Sequence, residues 1–199
     1  MLMKILIIDG VGLIGETIAR KLLENENVEL KFFSKDPMNL EIHGENVERI
    51  NGDVQNVEQL MVAMADIDRV LVIPSNDDLP QVMQGLIETM SERNVQKVVF
   101  IVPTEVYDEN PAQIEIEGDL KDDLLLRNIR EATDKIENSG INYTIIQPDW
   151  FDNRQDRYQI AQKKPAANGY DTDLQKKCVD LAIRALISED YAARESLKV

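Results

Sequence analysis

Met3-Lys4-Ile5-Leu6-Ile7-Ile8-Asp9-Gly10-Val11-Gly12-Leu13-Ile14-Gly15 is the stretch on which the reading of this chain turns. The apolar, β-branched run that ends at Ile8 has the composition of a strand buried on both faces. Three glycines follow in the pattern GxGxxG, and Ile14, Ile18 and Leu22 then recur at helical spacing. A strand that breaks at glycines and opens a helix gives each glycine a mechanical task. Gly10 permits the tight turn, Gly12 lets backbone approach a ligand without a Cβ in the way, and Gly15 lets the helix pack closely on the strand. Backbone N–H groups near Leu13 and Ile14 then face outward at a helix N-terminus, where they suit the oxygens of a pyrophosphate.

Outward from this unit, strand and helix signals alternate. Apolar runs at Met3–Ile8, Val28–Phe33, Val70–Ile73, Val98–Val102 and Tyr143–Ile146 read as buried strands, with a weaker one at Val47–Asn51 before Gly52-Asp53. Between them Leu79, Val82, Met83, Leu86, Ile87 and Met90 form one helical stripe. Leu125, Ile129, Ala132 and Ile136 form another, and Leu174, Cys178, Leu181, Ala182 and Ala185 a last one. This alternation predicts an α/β fold, a Rossmann-type doubly wound parallel sheet of order 3-2-1-4-5-6 with helices on both faces. Its ligand belongs at the carboxyl ends of the strands. No shift of composition divides the chain, so residues 1–199 read as one domain. The stretch from Pro148 to Asp173 lacks periodicity and is the expected cap on the substrate side. Glu105 to Asp123 reads as an acidic exposed loop leading into a helix.

The bulk properties narrow the partners. With 43% hydrophobic residues in 199, the chain can bury a continuous core. A formal charge of −15 opposes nucleic acid and anionic membrane surfaces, and no run is long enough to span a bilayer. The same field opposes an anionic dinucleotide, so such a site has to be built locally from backbone amides. A single cysteine, Cys178, excludes an intramolecular disulfide framework and a Cys-rich metal site, and a reducing cytoplasm is the natural setting. His43, the only histidine, sits beside Gly44 in the loop after the second strand and reads as a solvated residue. One histidine and one cysteine assemble neither a Ser/His/Asp hydrolase centre nor a metal cluster.

The residues that end the second strand choose the adenosine ribose in such folds. Here they are Ser34-Lys35-Asp36. Ser34 and Lys35 can hydrogen-bond and neutralise a 2′-phosphate, whereas Asp36 can accept from a 2′-hydroxyl. Lys35 tilts the expectation towards NADP(H) over NAD(H). Asp53 and Val54 follow the third strand where an adenine edge lies in such folds, although Asp53 can equally be a turn or capping residue.

Taken together, the glycine turn, Ser34-Lys35-Asp36-Pro37, Gly52-Asp53-Val54, Val98-Val99-Phe100-Ile101, Tyr107-Asp108-Glu109 and the block from Ser139 to Trp150 resemble the NmrA-like atypical short-chain dehydrogenase/reductase family. The resemblance implies an NAD(P)H-binding oxidoreductase. There are departures. Asp9 stands where the family's first glycine is expected, with Gly10 one place later. Val102 and Pro103 replace a pair of serines, with Thr104 next, and Gln147 replaces an arginine before Pro148. Tyr107 is followed at the usual spacing by Pro111 rather than by the lysine that lowers the catalytic tyrosine's pKa in the classical enzymes.

The expected function is therefore an NAD(P)H-dependent reductase acting on a small carbonyl or quinone-like molecule. Tyr107 and Thr104 are the candidate catalytic residues. Gly10, Gly12, Leu13, Ile14, Gly15, Ser34, Lys35, Asp53, Val54, Pro74, Ser75 and Pro148 are the candidate cofactor contacts, and Tyr107, Trp150 and Phe151 the candidate substrate walls. The alternatives are a catalytically silent NAD(P)-sensing or scaffold protein, favoured by the missing lysine and serines, and a cofactor-free interaction module.

Overall fold

The computed structural model describes residues 2–73, 78–102, 120–147 and 173–199, with backbone alone for 120–123, 125–126 and 173–174. Its strands are β1 (Met3–Ile8), β2 (Val28–Ser34), β3 (Val47–Asn51), β4 (Arg69–Val72), β5 (Lys97–Ile101), β6 (Asn142–Gln147) and β7 (Glu195–Lys198). Between them lie α1 (Leu13–Leu22), α2 (Val57–Ala63), α3 (Leu79–Arg93), α4 (Leu120–Asn138) and α5 (Asp173–Ile187). The strands form one sheet of order β3-β2-β1-β4-β5-β6-β7, and every neighbouring pair is parallel.

Alternation along each strand divides the core in two. Ile5, Ile7, Leu30, Phe32, Leu71, Val99 and Ile101 pack with α1 and α5 on one face. Leu6, Ile8, Phe33, Val70, Val72, Val98 and Phe100 pack with α2, α3 and α4 on the other. A parallel strand covered on both faces needs apolar side chains in both directions, which is why these strands read as unbroken apolar runs. The chain passes from β3 at one edge to β4 beside β1, so the strand order reverses between β1 and β4. Crevices at such a reversal open at the carboxyl ends of the strands.

The expected order holds for six strands, and β7 adds a seventh. Glu195-Ser196-Leu197-Lys198 is a short edge strand paired only with β6 and largely exposed, so it carries no apolar run. The helix α2 is a second addition. Its N-cap is Asn56, whose side chain accepts from the Gln59 N–H at 3.1 Å. The helix α4 begins at Leu120, so Asp122 and Asp123 belong to it rather than to a loop. Among the described residues no helix is long and apolar enough to cross a membrane.

Candidate functional site

The glycine turn joins β1 to α1 at the carboxyl edge of the sheet, beside the reversal of strand order. Its left-handed residue is Asp9, at φ 55°, whose N–H donates to the Phe33 carbonyl at 3.2 Å. Aspartate is among the few non-glycine residues that tolerate this region. That corrects the task expected of Gly10, whose requirement is space: a Cβ there would lie 2.3 Å from Ile7 Cγ2. Gly12, the N-cap of α1, has φ 141° and ψ 179°, a conformation that is essentially glycine's alone. At Gly15 a Cβ would lie 2.1 Å from the Gly10 carbonyl oxygen, so helix and turn touch backbone to backbone. The first intrahelical bond of α1 runs from the Glu16 N–H to the Gly12 carbonyl at 2.9 Å. The amides of Leu13, Ile14 and Gly15 therefore precede the ladder, at the positive end of the helix. The Ile14 side chain is buried beneath them.

The tips of β2 and β3 adjoin this turn. Ser34 pairs with Asn51 in the register, and the Gly52 N–H donates to the Ser34 carbonyl at 3.0 Å. Gly52 has to be glycine because the Phe33 ring fills the place of a Cβ, 2.3 Å from it at Cε2. Ser34 itself is buried, and its Oγ has no hydrogen-bond partner. Lys35 does reach solvent. Its backbone carbonyl accepts from Asn51 Nδ2 at 2.7 Å, and its Nζ lies 3.0 Å from Asp53 Oδ2. The other oxygen of Asp53 accepts from the Gln55 N–H at 3.0 Å, an Asx turn that fulfils the alternative reading of this residue. That bond and the Lys35 ammonium hold the Asp53 carboxyl below its usual range. Asp36 is turned to Asn39, accepting from its Nδ2 at 2.7 Å. The Val54 side chain belongs to the core, which leaves its backbone for contact.

Gly10, Gly12, Leu13, Ile14, Gly15, Ser34, Lys35, Asp53 and Val54 thus come together at the ends of β1, β2 and β3. Pro74, Ser75, Pro103, Thr104, Tyr107, Pro148, Trp150 and Phe151 lie outside the described residues. At their margins Val102 is fully buried, with its N–H donating to the Ile146 carbonyl at 2.8 Å. Gln147, also buried, donates from Nε2 to Ser196 Oγ at 2.7 Å, while its Oε1 has no partner. His43 is exposed, with Arg49 Nη2 against its Nδ1 at 2.7 Å. The described residues contain no cluster of metal ligands. Sequence reasoning missed the Lys35–Asp53 pair. Opposite charges just beyond the ends of two adjacent parallel strands were the available signal.

A doubly wound parallel sheet with a glycine turn at its reversal defines the Rossmann class of dinucleotide-binding folds. The chain belongs to the NAD(P)H-binding family, whose model it matches over residues 10–188, in keeping with the atypical short-chain dehydrogenase resemblance. Among solved structures it is similar to a Rossmann-fold NAD(P)-binding family protein from Shigella flexneri, with 20% identity, a TM-score of 0.75, and coverage of 100% of this chain and 93% of that one. A wide-type short-chain dehydrogenase/reductase from Veillonella parvula, solved in complex with NADP, has 18% identity, a TM-score of 0.72 and coverage of 100% and 94%. An oxidoreductase from Lactococcus lactis has 14% identity, a TM-score of 0.71 and coverage of 98% and 90%. No curated protein sequence matches the chain.

Proposed function

We propose that this protein is a cytoplasmic, NmrA-like NAD(P)H-dependent reductase of a small carbonyl or quinone-like molecule, with NADP(H) preferred. The observation that carries the reading is the glycine turn: three helix-opening amides beside Gly12 at φ 141°, within a chain of the NAD(P)H-binding family. The turn fits the group. A Cβ has no room at Gly10 or Gly15, Gly12 needs a conformation open only to glycine, and the amides are the local positive potential that a chain of charge −15 has to build for a pyrophosphate.

When bound, a reduced nicotinamide dinucleotide supplies the hydride. The amides of Leu13 to Gly15 hold its pyrophosphate, Lys35 meets a 2′-phosphate, and the backbone at Asp53 and Val54 borders the adenine. Pro74, Ser75 and Pro148 border the nicotinamide half. In this reading residues 148–173 would cap the substrate within a single domain, with Trp150 and Phe151 as pocket walls or as the cap's own core. Tyr107 would donate a proton to the nascent alkoxide, with Thr104 or water the alternative source. A neutral phenol donates a proton at pH 7 far more readily than it accepts one, so reduction is the favoured direction.

Oxidation of NADPH in the presence of quinones, aldehydes and flavins tests the reading. Tyr107→Phe keeps the ring and removes the hydroxyl; turnover of a carbonyl is expected to fall by roughly 10²-fold with dinucleotide affinity unchanged. Wild-type turnover in the variant would return Tyr107 to a packing role. The second reading, a dinucleotide sensor without turnover, is favoured by Pro111 in place of the lysine and by Val102 in place of a serine. Tight NADPH binding with no oxidation by any member of the panel would establish it.

A further inference from the structure

Lys35, the proposed partner of a 2′-phosphate, already holds a carboxylate. Asp53 Oδ2 sits 3.0 Å from Lys35 Nζ, in the place where a phosphate oxygen would pair. The two side chains are 65% and 37% exposed, so the pair can open without unburying a charge. Three contacts fix its geometry from the backbone side. The Gln55 N–H binds the other carboxylate oxygen at 3.0 Å, Gln59 Oε1 accepts the Asp53 N–H at 2.8 Å, and Asn51 Nδ2 holds the Lys35 carbonyl at 2.7 Å. The nearby carboxylate of Asp36 is turned instead to Asn39. Of the two acidic side chains flanking this strand tip, it is Asp53 that occupies the lysine.

We infer that Asp53 is a built-in competitor for the coenzyme 2′-phosphate: its carboxylate holds Lys35 in the ligand-free protein, and the 2′-phosphate has to displace it. The inference rests on the proposed role of Lys35 and adds what sets the size of the NADP preference. NAD(H) leaves the pair intact, because a 2′-hydroxyl makes no claim on the ammonium. NADP(H) gains a charge-assisted contact with Lys35 and loses the Lys35–Asp53 pair. The two opposing effects are of similar size at an exposed site, so the chain uses both coenzymes with only a modest preference for the phosphorylated one. Asp53 is a specificity-determining residue acting through Lys35.

Asp53→Asn is a clean test, since an asparagine Oδ1 still accepts from the Gln55 N–H and keeps the Asx turn while the charge is lost. Affinities for NADPH and NADH are measured by titration calorimetry in the wild type, Asp53→Asn, Lys35→Ala and the double variant, and read as the NADPH to NADH ratio. Any contact of Asp53 with adenine cancels in that ratio. Asp53→Asn is expected to raise the ratio by about three- to tenfold, and by less than about twofold when Lys35 is already alanine. An unchanged or lowered ratio in Asp53→Asn, or an undiminished rise in the double variant, overturns the competitor role. If Lys35→Ala alone leaves the ratio unchanged, the 2′-phosphate reading of Lys35 falls and the inference falls with it. A selective loss in Lys35→Ala with no gain in Asp53→Asn overturns the inference alone.

Discussion

Two lysines stand at opposite edges of the same parallel sheet. At the carboxyl edge, Lys35 is 65% exposed in its side chain and holds one carboxylate, that of Asp53. At the amino edge Lys97, the first residue of β5, is fully buried. Its Nζ donates to the carbonyls of Tyr191 at 3.1 Å and Glu189 at 3.4 Å and to Asn142 Oδ1 at 3.4 Å. Nearby, Arg69 pairs with Glu189 at 3.4 Å and Asn142 Nδ2 donates to the Glu189 carbonyl at 2.9 Å, so these contacts bind the loop after α5 to the sheet. A buried ammonium that meets the chain's own backbone is architecture, because a ligand can replace none of its partners without unfolding the loop. An exposed ammonium with a single side-chain partner can exchange that partner. Burial and the kind of acceptor, rather than residue type, separate the two edges.

The largest effect expected at the carboxyl edge comes from Gly12→Val. Valine cannot hold φ 141° without strain, and its methyls would stand where a pyrophosphate approaches. Affinity for NADPH and NADH together is expected to fall by about 100-fold or more, near 3 kcal/mol. The fold is expected to lose about 1–3 kcal/mol, read by urea denaturation. Undiminished affinity in a folded variant would remove the phosphate role from this turn.

The amino edge should answer in the opposite way. Lys97→Ala leaves buried acceptors unpaired and a void, and is expected to cost about 3 kcal/mol of stability with dinucleotide affinity unchanged. A matching loss of affinity would show the two edges to be coupled and undo the contrast. The alkaline pH profile sharpens it. Burial, helped by the neighbouring Arg69 charge, pushes the Lys97 pKa below its ordinary 10.5. Between that lowered value and 10.5 the unfolded chain binds more protons, so this residue makes stability rise with pH there. Burial acts on Cys178 and Tyr143 in the reverse sense, lifting the thiol from 9.0 to about 12 and the phenol above 10.0, so their contributions are lost as pH rises. The Lys97 part is isolated by subtracting the profile of Lys97→Met from that of the wild type. The difference is expected to move in favour of the wild type as pH rises through that window, and a flat difference would mean that Lys97 titrates normally.

The contrast also marks what was legible in the sequence. The carboxyl edge was readable because its requirements are local. Close packing and unusual backbone angles select glycine, and the apolar runs before and after the turn give the strand and the helix. Even there the sequence left the assignment one residue out, since Asp9 rather than Gly10 takes the left-handed angle. The amino edge was not readable. Lys97 precedes Val98 as an ordinary polar start to a strand, and its two carbonyl acceptors, Glu189 and Tyr191, lie more than ninety positions away, which no periodicity reports. The edge strand β7 lacked a signal for a related reason, because one pairing partner and one covered side demand no apolar run. The Asn56 cap of α2 was within reach. Asn56 and Gln59 have the spacing of a capping box, yet the Gln59 side chain turns to the Asp53 N–H, tying the helix to the candidate site.

The smallest effect is at Lys35 itself. With its side chain 65% exposed, the ammonium is well hydrated, and trading water and Asp53 for a phosphate gains little beyond a screened charge pair. Lys35→Ala is therefore expected to weaken NADPH by about fivefold, near 1 kcal/mol, while NADH changes by less than about twofold. Because the pair is solvent-exposed, the NADPH advantage should also shrink as salt is raised from low to physiological ionic strength, which an affinity series in the wild type measures directly. Stability should hardly move, in contrast to Lys97→Ala, since Asp53 keeps its Gln55 bond and can be solvated. A loss of several kcal/mol of stability in Lys35→Ala would place this lysine with Lys97 among the architectural groups. An equal loss for both dinucleotides would mean that it answers to the ligand's overall charge rather than to the 2′ position.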